Sequence, residues 1–99
     1  MKLLAIEREL PDVAAEDVGP YLADEASRVW ELYQAGIIRE LYFRADRHEA
    51  VLVLECADIE EAQQMLGTLP LVRESLIAFE LIPLAPYPGF ARLFAVERS

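Results

Sequence analysis

Four glutamates alternate with apolar residues along segments that are typical of β-strands, and they are the first candidates for chemistry. They are Glu7, Glu40, Glu55 and Glu80. Carboxylates that meet in a half-closed apolar site raise one another's pKa. A carboxyl group with a raised pKa can serve as acid and base near neutral pH. We therefore predict Glu7 and Glu80 as catalytic carboxylates and Glu55 as a substrate-binding residue beside them.

Three further polar side chains could complete such a site. The hydroxyl of Tyr42 is predicted to be catalytic, as a donor to a developing oxyanion. The planar guanidinium of Arg44 can hold both oxygens of a substrate carboxylate. His48, which lies in a predicted turn, is the only histidine, and its unperturbed pKa suits proton transfer at neutral pH. Arg44 and His48 are predicted to bind substrate.

Each of these residues also has an ordinary structural interpretation, which the sequence leaves open. Glu7, Glu55 and Glu80 could be solvated charges that pair with Arg8, Arg39 or Arg44. Tyr42 could pack at a rim, and His48 could be a solvated turn residue.

The sequence predicts neither a metal site nor a cofactor. It contains one histidine and one cysteine, Cys56, so a cysteine-rich zinc site and an intramolecular disulfide are excluded. Cys56 lies in an apolar run and is predicted to be a small core residue.

Composition narrows the class of protein. The chain has 99 residues, so we expect one domain over 1–99. A net charge of −9 disfavours binding to nucleic acid and to anionic membranes. No apolar stretch reaches the roughly 18 residues of a membrane span, and we expect a cytoplasmic protein. Hydrophobic residues make up 55% of the chain, which is more than a small monomer can bury, so part of them is expected in an interface.

Hydrophobic periodicity gives the order of elements. Strands are predicted over 2–9, 37–44, 49–56 and 76–84. A first helix is predicted between Gly19-Pro20 and Gly36, after a polar loop over 12–17, because Pro opens helices and Gly ends them. Its predicted core stripe consists of Leu22, Ala26, Val29, Trp30 and Tyr33.

A second helix is predicted to begin after Asp58, a good N-cap, and to end near Leu69-Pro70, before an irregular piece that runs to Ser75. Glu25 falls on or near the polar face of the first helix. Residues 85–99 are predicted to form a Pro-rich arm with an apolar end, which favours packing on a neighbour.

The order βαββαβ predicts an α+β, ferredoxin-like domain with a core over 1–84 and a four-stranded antiparallel sheet in the order 4-1-3-2. Helices cover one sheet face. The other face is predicted to carry Leu3, Ala5 and Glu7 from strand one, together with Glu40, Tyr42, Arg44, Val51, Val53, Glu55, Ala78, Glu80 and Ile82. That face is too apolar for water, so we predict a homodimer that pairs two sheets.

Nearly the whole chain resembles the muconolactone isomerase family, most clearly from Gly36 onward. The resemblance rests on two motifs, Leu69-Pro70-Leu71 before the last strand and Pro83-Leu84 with Pro88 after it. The residues Ala35-Gly36, Arg39 and Tyr42 are also similar to the family's. Leu3-Leu4-Ala5 stands where the family's first strand carries a histidine, and Tyr87 replaces a histidine before the final Pro. The resemblance implies a dimeric α/β barrel, sometimes in larger rings, and proton transfer or chloride elimination on a lactone without cofactor.

Three functions stay open at this point. The first is a cofactor-independent isomerase or lyase acting on a lactone or oxygenated ring acid. The second is a non-catalytic dimer that binds a small ligand or supports assembly. The third is a cofactor-free monooxygenase of the same superfamily.

Overall fold

Four strands form one antiparallel sheet in the computed structural model, which describes residues 1–94. The strands are β1 (Lys2–Glu9), β2 (Ile38–Phe43), β3 (Ala50–Glu55) and β4 (Ile77–Pro83). Their order in the sheet is β2-β3-β1-β4, as the sequence predicted. β1 is central and pairs with β3 on one edge and with β4 on the other.

The helices follow the predicted βαββαβ order and confirm the ferredoxin-like α+β fold. They are α1 (Ala15–Val18), α2 (Leu22–Gln34), α3 (Ile59–Leu66), α4 (Pro70–Arg73) and α5 (Ala91–Phe94), with a 3₁₀ turn over Gly19–Tyr21 between α1 and α2. After α2 the chain turns at Gly36, whose φ of +80° is costly for any residue with a Cβ. Asp58 caps α3 by accepting the backbone N–H of Glu61 at 2.8 Å, which confirms the predicted N-cap.

Two predictions of irregular chain are wrong. The predicted loop over 12–17 contains the start of α1, and the predicted irregular piece before Ser75 contains α4. Each helix has four residues, which is barely one turn and too short to show a helical period. α4 begins at Pro70, where the missing N–H removes no helical hydrogen bond.

The core lies between the sheet and the helices. Leu3 and Ala5 of β1 are fully buried there, beside their cross-strand partners Leu54 and Leu52 of β3. α2 contributes the buried Leu32. These side chains remove the helix-facing side of β1 from water.

The predicted orientation of β1 is therefore wrong. Leu3, Ala5 and Glu7 were expected on the face away from the helices, whereas Leu3 and Ala5 pack in the core and Glu7 shares their face. Directly paired residues of antiparallel strands lie on one face. The register of β1 instead places Leu4 opposite Val53 and Ile82 on the other side of the sheet.

That other side of the sheet, called the open face below, is apolar at its centre. Its central residues are Leu4, Ile6, Val51, Val53 and Ile82, and all are only partly buried. Charged residues flank them, including the ion pair between Arg8 and Glu80. For strands two to four, the predicted assignment to this face is correct for the residues within the strands; Arg44 lies one position beyond β2.

The C-terminal arm leaves the sheet with large apolar side chains in water. Tyr87, Phe90, Leu93 and Phe94 are each at least 65% exposed. Tyr87 and Phe90 contact each other edge to face, with ring centroids 5.1 Å apart. The end of the predicted arm, residues 95–99, lies outside the described residues. Over residues 1–94, no helix is long and apolar enough to cross a membrane.

Candidate functional site

A cavity of about 980 Å³ lies between one side of α2 and the helix-facing side of the sheet. The apolar stripe of α2 that was predicted to be core lines this cavity instead. Leu22, Trp30 and Tyr33 on that stripe are each 45% or more exposed. A volume of this size is in the range of small-molecule sites in proteins.

Glu7 reaches the cavity from β1. Its Oε1 accepts the backbone N–H of Ala50 on β3 at 3.0 Å. Burial raises the pKa of Glu7 above its ordinary 4.5, and the negative charge of Glu49 adds to the effect. The hydrogen bond from Ala50 and the charge of His48 act in the opposite direction.

Glu25 reaches the same cavity from α2. Its Oε1 accepts the backbone N–H of Leu71, the second residue of α4, at 2.9 Å. Burial raises the pKa of Glu25, the Leu71 hydrogen bond opposes that shift, and the negative charge of Glu7 raises the pKa further. Glu7 and Glu25 therefore interact electrostatically across one cavity.

Aromatic rings line the cavity beside these carboxylates. His48 stacks on Phe43 with ring centroids 4.2 Å apart, and both residues line the cavity. Trp30 stacks on Tyr33 of the same helix at 5.8 Å. The site thus combines two half-buried carboxylates with flat apolar surfaces that can contact a ring.

Three of the predicted site residues belong to the open face by strand register, and each has a polar partner there. Of the three, only Tyr42 also lines the cavity. Glu80 pairs with Arg8 on that face. Glu55 accepts from the N-terminal amine at 2.7 Å, which lowers the pKa of Glu55. The hydroxyl of Tyr42 donates to Glu40 at 2.8 Å, and this bond to a carboxylate raises the pKa of Tyr42.

Arg44 lies at the end of β2 and is engaged by neighbouring carboxylates. Its Nε and Nη2 donate to the two oxygens of Asp46 at 2.8 and 2.6 Å. Its Nη1 lies 3.5 Å from the buried Glu49. These bonds raise the pKa of Arg44, chiefly through Asp46, and occupy the fork that was predicted to hold a substrate carboxylate.

Of the predicted residues, Glu7, Tyr42 and His48 line this cavity, whereas Arg44, Glu55 and Glu80 are not among its lining residues. Glu7 and Glu80 come from neighbouring strands, but Ile6 rather than Glu7 is the partner of Glu80. Among these lining residues, Glu7 has one carboxylate oxygen bound to the Ala50 N–H, His48 stacks on Phe43, and the hydroxyl of Tyr42 is bound to Glu40.

Glu25 is the site residue that the sequence analysis missed. It follows Leu22 by three positions and precedes Val29 by four, and such spacings place residues on one helix face. On a helical wheel Glu25 lies at the edge of this stripe, next to Val29, between the apolar and the polar face.

Groups of three or more His, Cys, Asp or Glu that could hold a metal ion do not occur within residues 1–94. Cys56 is buried, and burial raises the pKa of its thiol, as for a small core residue.

Comparison with known proteins gives the family. The model of the muconolactone delta-isomerase family matches residues 4–89. The chain belongs to this family.

A crystal structure of muconolactone isomerase at 3.3 Å resolution shares the fold of this family member. The two superpose with a TM-score of 0.74 and 23% sequence identity, over 90% of this chain and 93% of the other. Among curated proteins, no sequence relative is detected. The fold and the family are thereby shown.

The raised pKa of Glu25 predicts a pH-dependent effect of Glu25→Gln on stability. Between the ordinary value of 4.5 and the folded value, the folded chain keeps a proton that the unfolded chain has lost. The free energy of unfolding of the wild type therefore falls through this window as pH rises. Urea denaturation should show that Glu25→Gln gains stability relative to the wild type as pH rises from below 4.5 to neutral.

Glu55→Gln is a control in which the change of stability with pH is expected to have the opposite sign. The N-terminal amine lowers the pKa of Glu55, so its contribution to stability is present above 4.5 and is lost as pH falls. Relative to the wild type, Glu55→Gln should lose stability at neutral pH and recover in acid. Parallel pH trends for the two variants would contradict the assignment of a raised pKa to Glu25.

Proposed function

We propose that this protein catalyses cofactor-independent proton transfer, an isomerisation or an elimination, on a lactone or a related oxygenated ring compound. One observation carries the proposal: Glu7 and Glu25 line the same cavity, and burial raises the pKa of both. Membership of the muconolactone delta-isomerase family supports the same class of reaction.

The two carboxylates suit general acid–base chemistry because their charges interact. When two acids repel each other, one keeps its proton over a pH range in which the other is ionised. The ionised carboxylate takes a proton from carbon next to the ring carbonyl, and the C–H electron pair moves toward the carbonyl oxygen. The protonated carboxyl donates to that oxygen or returns a proton at a second carbon. In an elimination, the electron pair instead expels a leaving group from the neighbouring carbon.

The backbone hydrogen bonds hold each carboxylate in place for this work. Ala50 and Leu71 each donate to the Oε1 of one glutamate. Among the hydrogen bonds of residues 1–94, the Oε2 of each glutamate has no donor. One oxygen therefore anchors the group, and the other is available to a substrate.

Replacing either glutamate by glutamine should abolish proton transfer while keeping the anchor, because the amide oxygen still accepts the backbone N–H. Glu7→Gln and Glu25→Gln are each expected to lower kcat at least about 100-fold, the usual contribution of a general acid or base. The measurement is NMR of a butenolide in D₂O, which follows both isomerisation and deuterium uptake at carbon.

Glu31→Gln is the matched control because Glu31 lies on the same helix and its side chain is 60% exposed. It should keep the wild-type rate. Wild-type rates in both Glu7→Gln and Glu25→Gln would remove the proposed function.

We further propose that the open face pairs with a second copy of the chain. Leu4, Ile6, Val51, Val53 and Ile82 form its apolar centre, and neither helix layer nor arm covers it within residues 1–94. A contiguous apolar patch at the centre of a sheet face is typical of an interaction surface. A homodimer with facing sheets would cover this patch.

Light scattering should report a dimer or a larger assembly of the 11.2 kDa chain at micromolar concentration. Val53→Asp places a charge at the centre of the open face and should reduce the assembly to monomer, with a folded circular dichroism spectrum. Glu60→Gln, at an exposed position of α3, should leave the mass unchanged. A wild-type monomer, or a Val53→Asp variant that assembles like the wild type, would contradict the dimer.

A further inference from the structure

The charges that line the cavity are almost all negative. Glu7, Glu9 and Glu25 line it, His48 is the one basic side chain, and the lining residues within 1–94 include neither Lys nor Arg. A carboxylate ligand that leaves water needs charged or N–H donors to replace its hydration. Near these glutamates it would meet like charge instead.

The arginines near the cavity are held outside it. Arg44 is bound to Asp46 and Glu49. Arg73 forms an ion pair with Glu74 at 3.2 Å, and its guanidinium is exposed. Arg8 lies on the open face. Recruiting any of these cations into the cavity would first break an existing ion pair.

The rest of the lining favours an uncharged ring. Leu52, Leu69, Leu71 and Phe79 form apolar walls, and the Trp30–Tyr33 pair supplies a flat surface. A neutral carbonyl oxygen can accept a hydrogen bond from a protonated glutamate, whereas a carboxylate opposes an ionised one. The cavity volume of about 980 Å³ admits a ring with substituents.

We propose that the substrate of this site is an uncharged oxygenated ring compound, a lactone or ketone without a carboxylate. The inference rests on the proposed function for the location of the site, and it adds the charge of the substrate. The sequence analysis expected a ring acid whose carboxylate binds Arg44. The present proposal is a substrate without that carboxylate.

The test compares two ligands of nearly the same shape that differ in charge. The probes are muconolactone, whose side arm ends in a carboxylate, and its primary amide. Dissociation constants for the full-length wild-type protein at neutral pH come from titration calorimetry. Because like charges repel in a partly buried site, the amide should bind at least about tenfold more tightly than the acid.

Of Glu7→Gln and Glu25→Gln, the variant that removes the ionised carboxylate should narrow this ratio several-fold, whereas Glu31→Gln should leave it unchanged. Equal affinities, tighter binding of the acid, or no binding of either probe up to its solubility would overturn the inference. A wild-type protein that binds the acid more tightly than the amide, with this preference lost in Arg92→Gln, would also overturn the inference. Arg92 of the C-terminal arm would then supply the positive charge that binds the substrate carboxylate.

The two proposals fail differently. Preference for the acid, combined with loss of rate in Glu7→Gln and Glu25→Gln, would overturn the uncharged substrate and keep the acid–base function. Preference for the amide with unchanged rates in both variants would keep the charge preference of the cavity and remove the catalysis.

Discussion

The double pairing of β1 is the constraint on which the site depends. β3 and β4 hold this strand from both edges, with Leu3 opposite Leu54 and Pro83. A shift of one residue would turn every β1 side chain to the opposite face. It would bring Leu4 and Ile6 into the core and carry Glu7 to the open face, far from Glu25. Burial of Leu3 and Ala5 therefore also fixes the position of the carboxylate two residues later.

Two opposing effects act on each carboxylate in the cavity. Burial favours the protonated form, while the N–H of Ala50 or Leu71 favours the ionised form. Burial is the larger effect for both, so each group holds its proton more strongly than it would in water. Such groups weaken the folded state at neutral pH, and this arrangement is typical of functional sites. The cavity beside α2 also lowers the stability of the folded state. The apolar stripe of α2 does not pack fully against the sheet, so stabilising van der Waals contacts are not made there.

The sequence predicted the architecture well because the four strands and the two longer helices carry their own signals. Apolar strand segments, the Asp58 cap and Gly36 were enough to give the order βαββαβ, and that order gives the strand order of the sheet. The face of β1 was not predictable in this way. Leu3, Leu4, Ala5 and Ile6 are apolar in succession, so a period of two fits either face, and pairing with β3 and β4 decides between them.

The site was harder to predict than the fold for a related reason. Glu25 is a charged residue at the edge of an apolar stripe, and only the cavity between helix and sheet shows why a charge belongs there. The sequence suggested that Arg44 and Glu80 could contact a substrate. In the structure Arg44 forms an ion pair with Asp46, and Glu80 forms one with Arg8. Ion pairs between strands and turns depend on register and turn geometry, which composition does not contain.

The central claim is that ligands bind between α2 and the sheet, not on the open face. Leu52 and Val53 are adjacent in β3 and point to opposite faces, so their methyl groups distinguish the two locations. The direct measurement is an NMR experiment on methyl-labelled protein with the lactone amide bound. Nuclear Overhauser contacts from the ligand to Leu52 and Leu71, with none to Val53, are the predicted result. Contacts to Val53 without contacts to Leu52 would contradict the account.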